Sequence, residues 1–410
     1  MITPSFSLTA TERVLPKLAL DFTTASLDPR VTFTRTGNTA TVVNSSGYIA
    51  GINADLPRFD FNPTTLVCSG LLIEESRINV MTYSEDISQF PTKTNTTVSV
   101  DQINAPTNQL TADKIIETTA TGNHLIFKGN PVVSGTTYTC SVFLKKGERF
   151  RARLRTLNSL ADTQVDFNLD TGAITAGTAG TITNFGNGWY RCTITSAATA
   201  TDSNGRFYIY LLDDSGAVSY TGITDYGLYA WGAQVEAGAF ATSYIPNLTT
   251  GTTTRNADIA VMTGANFSDW YNASEGAFVA QAIPSEVPAT DAVSRFAVLV
   301  SGTDALRLER VSGNFRCVKT VSGSSSVSST FAWTIGDTKW FGAAYKLNNN
   351  AAVFSAQAPS VLSGTLLSGM NALSFGTTTT GASNWWDGHI QKVMYFPQRL
   401  TNAELQAFTK

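Results

Sequence analysis

The sequence predicts an all-β protein: two β-sandwich (jelly-roll) domains, preceded by an extended N-terminal arm and closed by one short C-terminal helix. Three observations carry this. Charged residues make up only 14% of the chain, against roughly 25% in an average globular protein. Thr, Ser, Gly and Asn take their place, and β-branched threonine fits a pleated surface better than a helix. Short alternating runs then recur between Gly, Asn, Asp and Ser clusters, the texture of strands joined by turns. Only LTNAELQAFTK, at the C-terminus, carries a helix start: Thr401 as N-cap with Glu404 three residues on forms a capping box.

The elements follow in order. A chain of 410 residues with 42% hydrophobic content has material for two or three cores. Residues 1–80 hold LALDFT, RVTFTRT, ATVV and PRFDF, pieces too short and scattered for a core of their own. They read as an arm that packs on something else. Residues 81–250 hold the first sandwich. In TTYTCSVFLKKG, Tyr138, Cys140, Val142 and Leu144 share one face. ERFRARLRTL, TQVDFNLDTG, GWYRCTITS, RFYIYLL and LYAWGAQVE follow with turn signals between them. After NLTTGTTTRNAD, residues 256–410 give a second series that includes GAFVAQAI, RFAVLVSG, KWFGAAYKL and HIQKVMYFP.

Composition also narrows function. A net charge of −3 offers no electrostatic case for nucleic acid. No run of about 18 apolar residues exists to span a membrane. The N-terminus lacks the basic start and apolar core of a secretory signal, so export by lysis after assembly inside a cell fits better. Cys68, Cys140, Cys192 and Cys317 have no CxxC spacing, so zinc is not expected. They read as buried free thiols, with a Cys140–Cys192 disulfide as the alternative. No cofactor is expected. A structural calcium ion held by turn acids such as Asp202 and Asp213–Asp214 is the one exception left open.

Several segments resemble a known family. GLLIEESRINVMTYSEDISQF, TADKIIETTATGNH, SGTTYTCSVFLKKG, NGWYRC, WGAQVEAGAFATSYIPN and TRNAD together resemble a recurrent module of tailed-bacteriophage structural proteins, itself similar to jelly-roll carbohydrate-binding domains. The ending GHIQKVMYFPQRLTNAELQAFT resembles concanavalin-like or laminin-G-like sandwiches. The resemblance covers nearly the whole chain. It implies a virion protein, of tail-fibre or head-fibre and decoration type, assembled in host cytoplasm and then extracellular. Its implied partners are other virion proteins, further copies of itself (a trimer above all) and host-surface polysaccharide.

Candidate residues divide between packing and binding. Glu236, in WGAQVE, has no second acid nearby to make the carboxylate pair of a glycosidase. It reads as a strand-end hydrogen-bond anchor, and no enzyme is expected. Simple alternation puts Trp231 on the core face with Ala233 and Val235. Arg151, Arg153 and Arg155 point one way, either as a basic stripe for an acidic polysaccharide or as cross-strand partners of Gln164, Asp166, Asn168 and Asp170. Tyr208 and Tyr210 share a face that is either a sugar platform or buried. Trp385 and Trp386, in NWWDG, cannot both enter one core if extended, so one is expected exposed or at an interface, and the pair reads as interface or core packing or as glycan contact. Trp385, Trp386, Tyr208, Tyr210 and Arg153 form the candidate glycan-binding set. His389 reads as structural. Deleting the residues before Pro57 is expected to leave the C-terminal sandwich folded but to abolish incorporation into particles.

Overall fold

The computed structural model describes residues 15–285, 293–301, 304–311, 314–362, 369–377 and 385–410. It is all-β, built from stacked antiparallel sheets. Two short α-helices accompany them among the described residues. The C-terminal one, Asn402–Phe408, starts at the expected capping box: Glu404 N–H donates to Thr401, whose own N–H donates back to the Glu404 carboxylate. The other, Ala265–Ser268, is a single turn that the sequence reading did not expect.

The first sandwich packs a six-stranded sheet on a seven-stranded one. Thr137–Lys146 lies between Trp189–Ala197 and Gly227–Ala237 in the former. Asp202–Leu212 lies between Arg151–Asn158 and Thr121–Val132 in the latter. Tyr138, Cys140, Val142 and Leu144 face the core between them with Phe167, Ile194 and Ile209, as period-two alternation requires. All four cysteines are buried free thiols. Burial pushes the Cys140 and Cys192 thiols well above the usual range, so they behave as small hydrophobes.

Alternation fails at one place. Gly232 adopts φ +63° and inserts a bulge, so that Trp231 faces Phe143 while Gln234 faces Ser141. The extra residue flips the strand's period. Trp231 is therefore buried on the face opposite Val235. There it packs against Phe143 and Tyr244, at ring-centroid distances of 5.5 and 4.6 Å.

The second sandwich packs two eight-stranded sheets, and the N-terminal segment is part of both. Leu18–Asp21 and Cys68–Ile73 pair with Gly388–Phe396 in one sheet, and Thr32–Thr34 pairs with Ile259–Thr263 in the other. Leu18, Leu20, Phe22, Val31 and Phe33 sit inside its core with Phe278, Leu373 and Tyr395. The expected arm thus packs by strand pairing into the far end of the chain.

One core acid has a pH consequence. Asp113 is almost fully buried and accepts the backbone N–H groups of Ile87 (2.7 Å) and Asp101 (3.0 Å). Burial outweighs those bonds and pushes its carboxyl up to about 6. An acid whose folded pKa lies above its unfolded value binds more protons when folded. Its contribution therefore improves as pH falls from above 6 towards 4, with a slope of up to roughly 1.4 kcal/mol per pH unit. The stability difference between wild type and Asp113→Asn, measured by urea unfolding at several pH values, should change in that window. A flat difference would rule out the elevated pKa.

Candidate functional site

The stretch after Trp231 builds a wall of the site. Glu236 is completely buried. Its carboxylate accepts from the Gln234 side chain (2.6 Å), the Thr242 N–H (2.9 Å) and the Thr242 hydroxyl (2.7 Å). Gln234 in turn accepts the Ile245 N–H at 2.7 Å. The strand's own side chains thus hold the return segment ATSYIPN against the sheet. Asn247 finishes the lock with bonds to the Asn79, Met81 and Gly251 carbonyls. Glu236 is the anchor the sequence suggested.

TRNAD closes the other side. Asp258 binds Arg35 (3.1 Å) and Arg58 and accepts the Glu74 N–H (2.9 Å), while Glu74 binds Arg58 (2.7 Å) and Arg255. All five side chains are buried. Burial opposes ionisation of Glu74, but Arg255 and Arg58 overcome it and hold its carboxyl well below the usual carboxylate range. The network joins the N-terminal segment, the first sandwich through Ser243, and the start of the second.

Between these parts opens a cleft of about 830 Å³. One wall is the outer face of the six-stranded sheet with its Thr178–Thr183 approach; it carries the Thr183 hydroxyl and those of Thr181, Thr193 and Thr195, of which Thr181 and Thr193 bond each other and Thr195 bonds Thr139. Phe61, Phe185 and Phe240 add aromatic surface. From the second sandwich comes His389, whose Nε2 meets the Asp60 carboxylate at 2.9 Å. The other Asp60 oxygen accepts the Val43 N–H at 2.7 Å. That pairing fixes the ring and leaves Nδ1 without a partner among the described residues. Arg191, only 8% exposed, lines the same cleft. The arrangement suits a polar ligand with apolar faces: hydroxyls, one oriented imidazole and aromatic rings around an open trough.

The sequence-predicted residues lie elsewhere. Trp386 is 1% exposed and packs on Trp333 inside the second core, at 5.3 Å between rings. Its partner Trp385 is half-buried against the same core, while Asn384 lies outside the described residues. Tyr208 and Tyr210 do share the outer face of the seven-stranded sheet, but at 6% and 4% exposure. Rows across that sheet run Asp166–Arg153–Tyr210–Leu125 and Gln164–Arg155–Tyr208–Phe127, so neighbours on both sides cover the rings. Arg153 makes a two-pronged pair with Asp166 at 2.6 and 2.9 Å, the cross-strand alternative. Trp386, Tyr208 and Tyr210 therefore present no free ring to a sugar, and Arg153 already has its carboxylate. Asp202 and Asp214 are engaged by Ser159 and Arg149.

His389, Asp60 and Arg191 were missed as site residues. His389 and Asp60 are 329 positions apart, and no local pattern links them. The clue lay one step away, since GHIQKV follows the tryptophans already singled out.

No family model matches the chain, and no curated protein matches it. Solved structures give weak similarities. The receptor binding domain of botulinum neurotoxin D is 9% identical with a TM-score of 0.28, over 37% of this chain and 40% of that one. Trypanosoma rangeli sialidase in complex with sialic acid is 12% identical with a TM-score of 0.29, over 73% and 60%. Mouse laminin alpha1 chain domains LG4-5 are 8% identical with a TM-score of 0.24, over 68% and 85%. The chain thus spans about 40% of the length of the neurotoxin domain. At these values the likeness carries no functional argument.

Proposed function

We propose that the protein is a non-catalytic virion component that binds host-surface glycan in the cleft between its sandwiches. The observation that carries this is the cleft itself, with threonine hydroxyls, four phenylalanine rings and the Asp60-oriented His389 around one open trough. Hydroxyls and a fixed ring nitrogen match sugar hydroxyls, and the aromatic rings match the apolar sugar face. The virion setting is supported by the resemblance of WGAQVEAGAFATSYIPN and TRNAD to phage structural modules. Many copies on one particle would turn weak single-site binding into firm attachment.

Glycosidase chemistry is the poorer reading. It needs one carboxyl with a raised pKa opposite a second carboxylate. Of the two acids lining the cleft, Glu74 is held ionised by two arginines and Asp60 is engaged by His389. The test is calorimetric titration of the purified protein with bacterial surface polysaccharides, wild type beside His389→Ala. Binding should weaken at least tenfold in the variant, with its melting profile kept. Failure of every polysaccharide to bind, or binding indifferent to His389, would sink the proposal and leave a purely structural scaffold or decoration protein.

A further inference from the structure

The cleft borders a buried cluster of arginines and carboxylates. Arg35, Arg58, Arg191 and Arg255 are all buried, and the carboxylates buried among them are Glu74, Glu236 and Asp258. The groups form one connected set: Arg191 feels Glu236 and Glu74, Glu74 binds Arg58 and Arg255, and Asp258 binds Arg35 and Arg58. Other acids lie close by: Asp387 accepts the Glu75 N–H at 2.9 Å, Glu75 pairs with Arg77, and Asp60 meets His389.

Arg191 is where this cluster meets the cleft. It has no carboxylate in salt-bridge range among the described residues. One terminal nitrogen donates to the Thr242 carbonyl at 2.6 Å, the other to the Ser141 hydroxyl at 3.0 Å. Each terminal nitrogen keeps a second N–H, and Nε has no partner among the described residues. The guanidinium rests against the Phe143 ring at 5.4 Å, which fixes its plane. A buried arginine with neutral partners only is costly to fold around. A planar carboxylate is a group that such a fork holds with two parallel bonds.

We infer that the cleft takes a carboxylate-bearing saccharide, with its acid group seated on Arg191. This rests on the glycan-binding reading and names the ligand class for that site. The neutral sugar face meets the threonines, the phenylalanines and His389, and the acid group gives Arg191 the carboxylate partner it lacks among the described residues.

The experiment pairs acidic capsular polysaccharides with their carboxyl-reduced forms, in which each uronate becomes a neutral sugar of the same linkage. Wild type should bind at least one acidic form about tenfold or more tighter than its reduced partner. Arg191→Gln should erase that preference, and Arg191→Lys, which keeps the charge but not the fork, should retain part of it. Thermal melts confirm that both variants fold. Should either variant fail to fold, the wild-type comparison of acidic and reduced forms decides alone. Equal binding of acidic and reduced forms would overturn the carboxylate inference while leaving the glycan reading intact. A preference that survives in a folded Arg191→Gln would overturn it too. Failure of all forms to bind would overturn both.

Discussion

Asp258→Ala is expected to destabilise the protein by about 3–5 kcal/mol, the usual result of removing one partner from a buried ion network. Its carboxylate is fully buried between Arg35 and Arg58 and also accepts the Glu74 N–H. Alanine would leave three buried arginines (Arg35, Arg58 and Arg255) with Glu74 as their one carboxylate. Water cannot reach the orphaned guanidinium groups without opening the junction. Asp258→Asn keeps the volume and one acceptor, so its loss should be smaller. Urea unfolding of both variants measures this. A loss below about 1 kcal/mol for Asp258→Ala, typical of an exposed pair, would show that the network does not hold the junction.

Truncation before Pro57 should be more damaging still. It removes the strands at Leu18–Asp21 and Thr32–Thr34, one from each sheet of the second sandwich. Leu18, Leu20, Phe22, Val31 and Phe33, all buried in that core, go with them. A fully buried side chain of this size contributes about 1.5–3 kcal/mol. Five of them approach the whole 5–15 kcal/mol by which a domain is stable. The truncated chain is therefore expected to lose cooperative unfolding of the C-terminal sandwich, read by calorimetry and near-ultraviolet dichroism. This reverses the expectation from sequence that the sandwich would survive. A truncated protein with an unchanged C-terminal transition would show that the N-terminal strands are accessory.

Local chemistry made much of the fold legible. Alternation in TTYTCSVFLKKG placed Cys140, Val142 and Leu144 in the core, because a pleated strand admits no other division. Thr401 and Glu404 marked the last helix, since a capping box satisfies backbone donors within one turn. Glu236 was recognisable as an anchor from its place at a strand end with no acid beside it.

What the sequence could not determine depends on partners distant along the chain. Gly232 gave no sign that it would adopt φ +63° and turn Trp231 to the opposite face. For Trp385 and Trp386 the sequence said only that both could not enter one core; whether an aromatic ring is free depends on what packs over it, and Trp333 covers Trp386. The short N-terminal pieces looked like an arm because their pairing partners lie more than 200 residues away. The cleft follows the same rule. Asp60, Arg191 and His389 come from three separate parts of the chain, and only the closed tertiary structure brings them to one place.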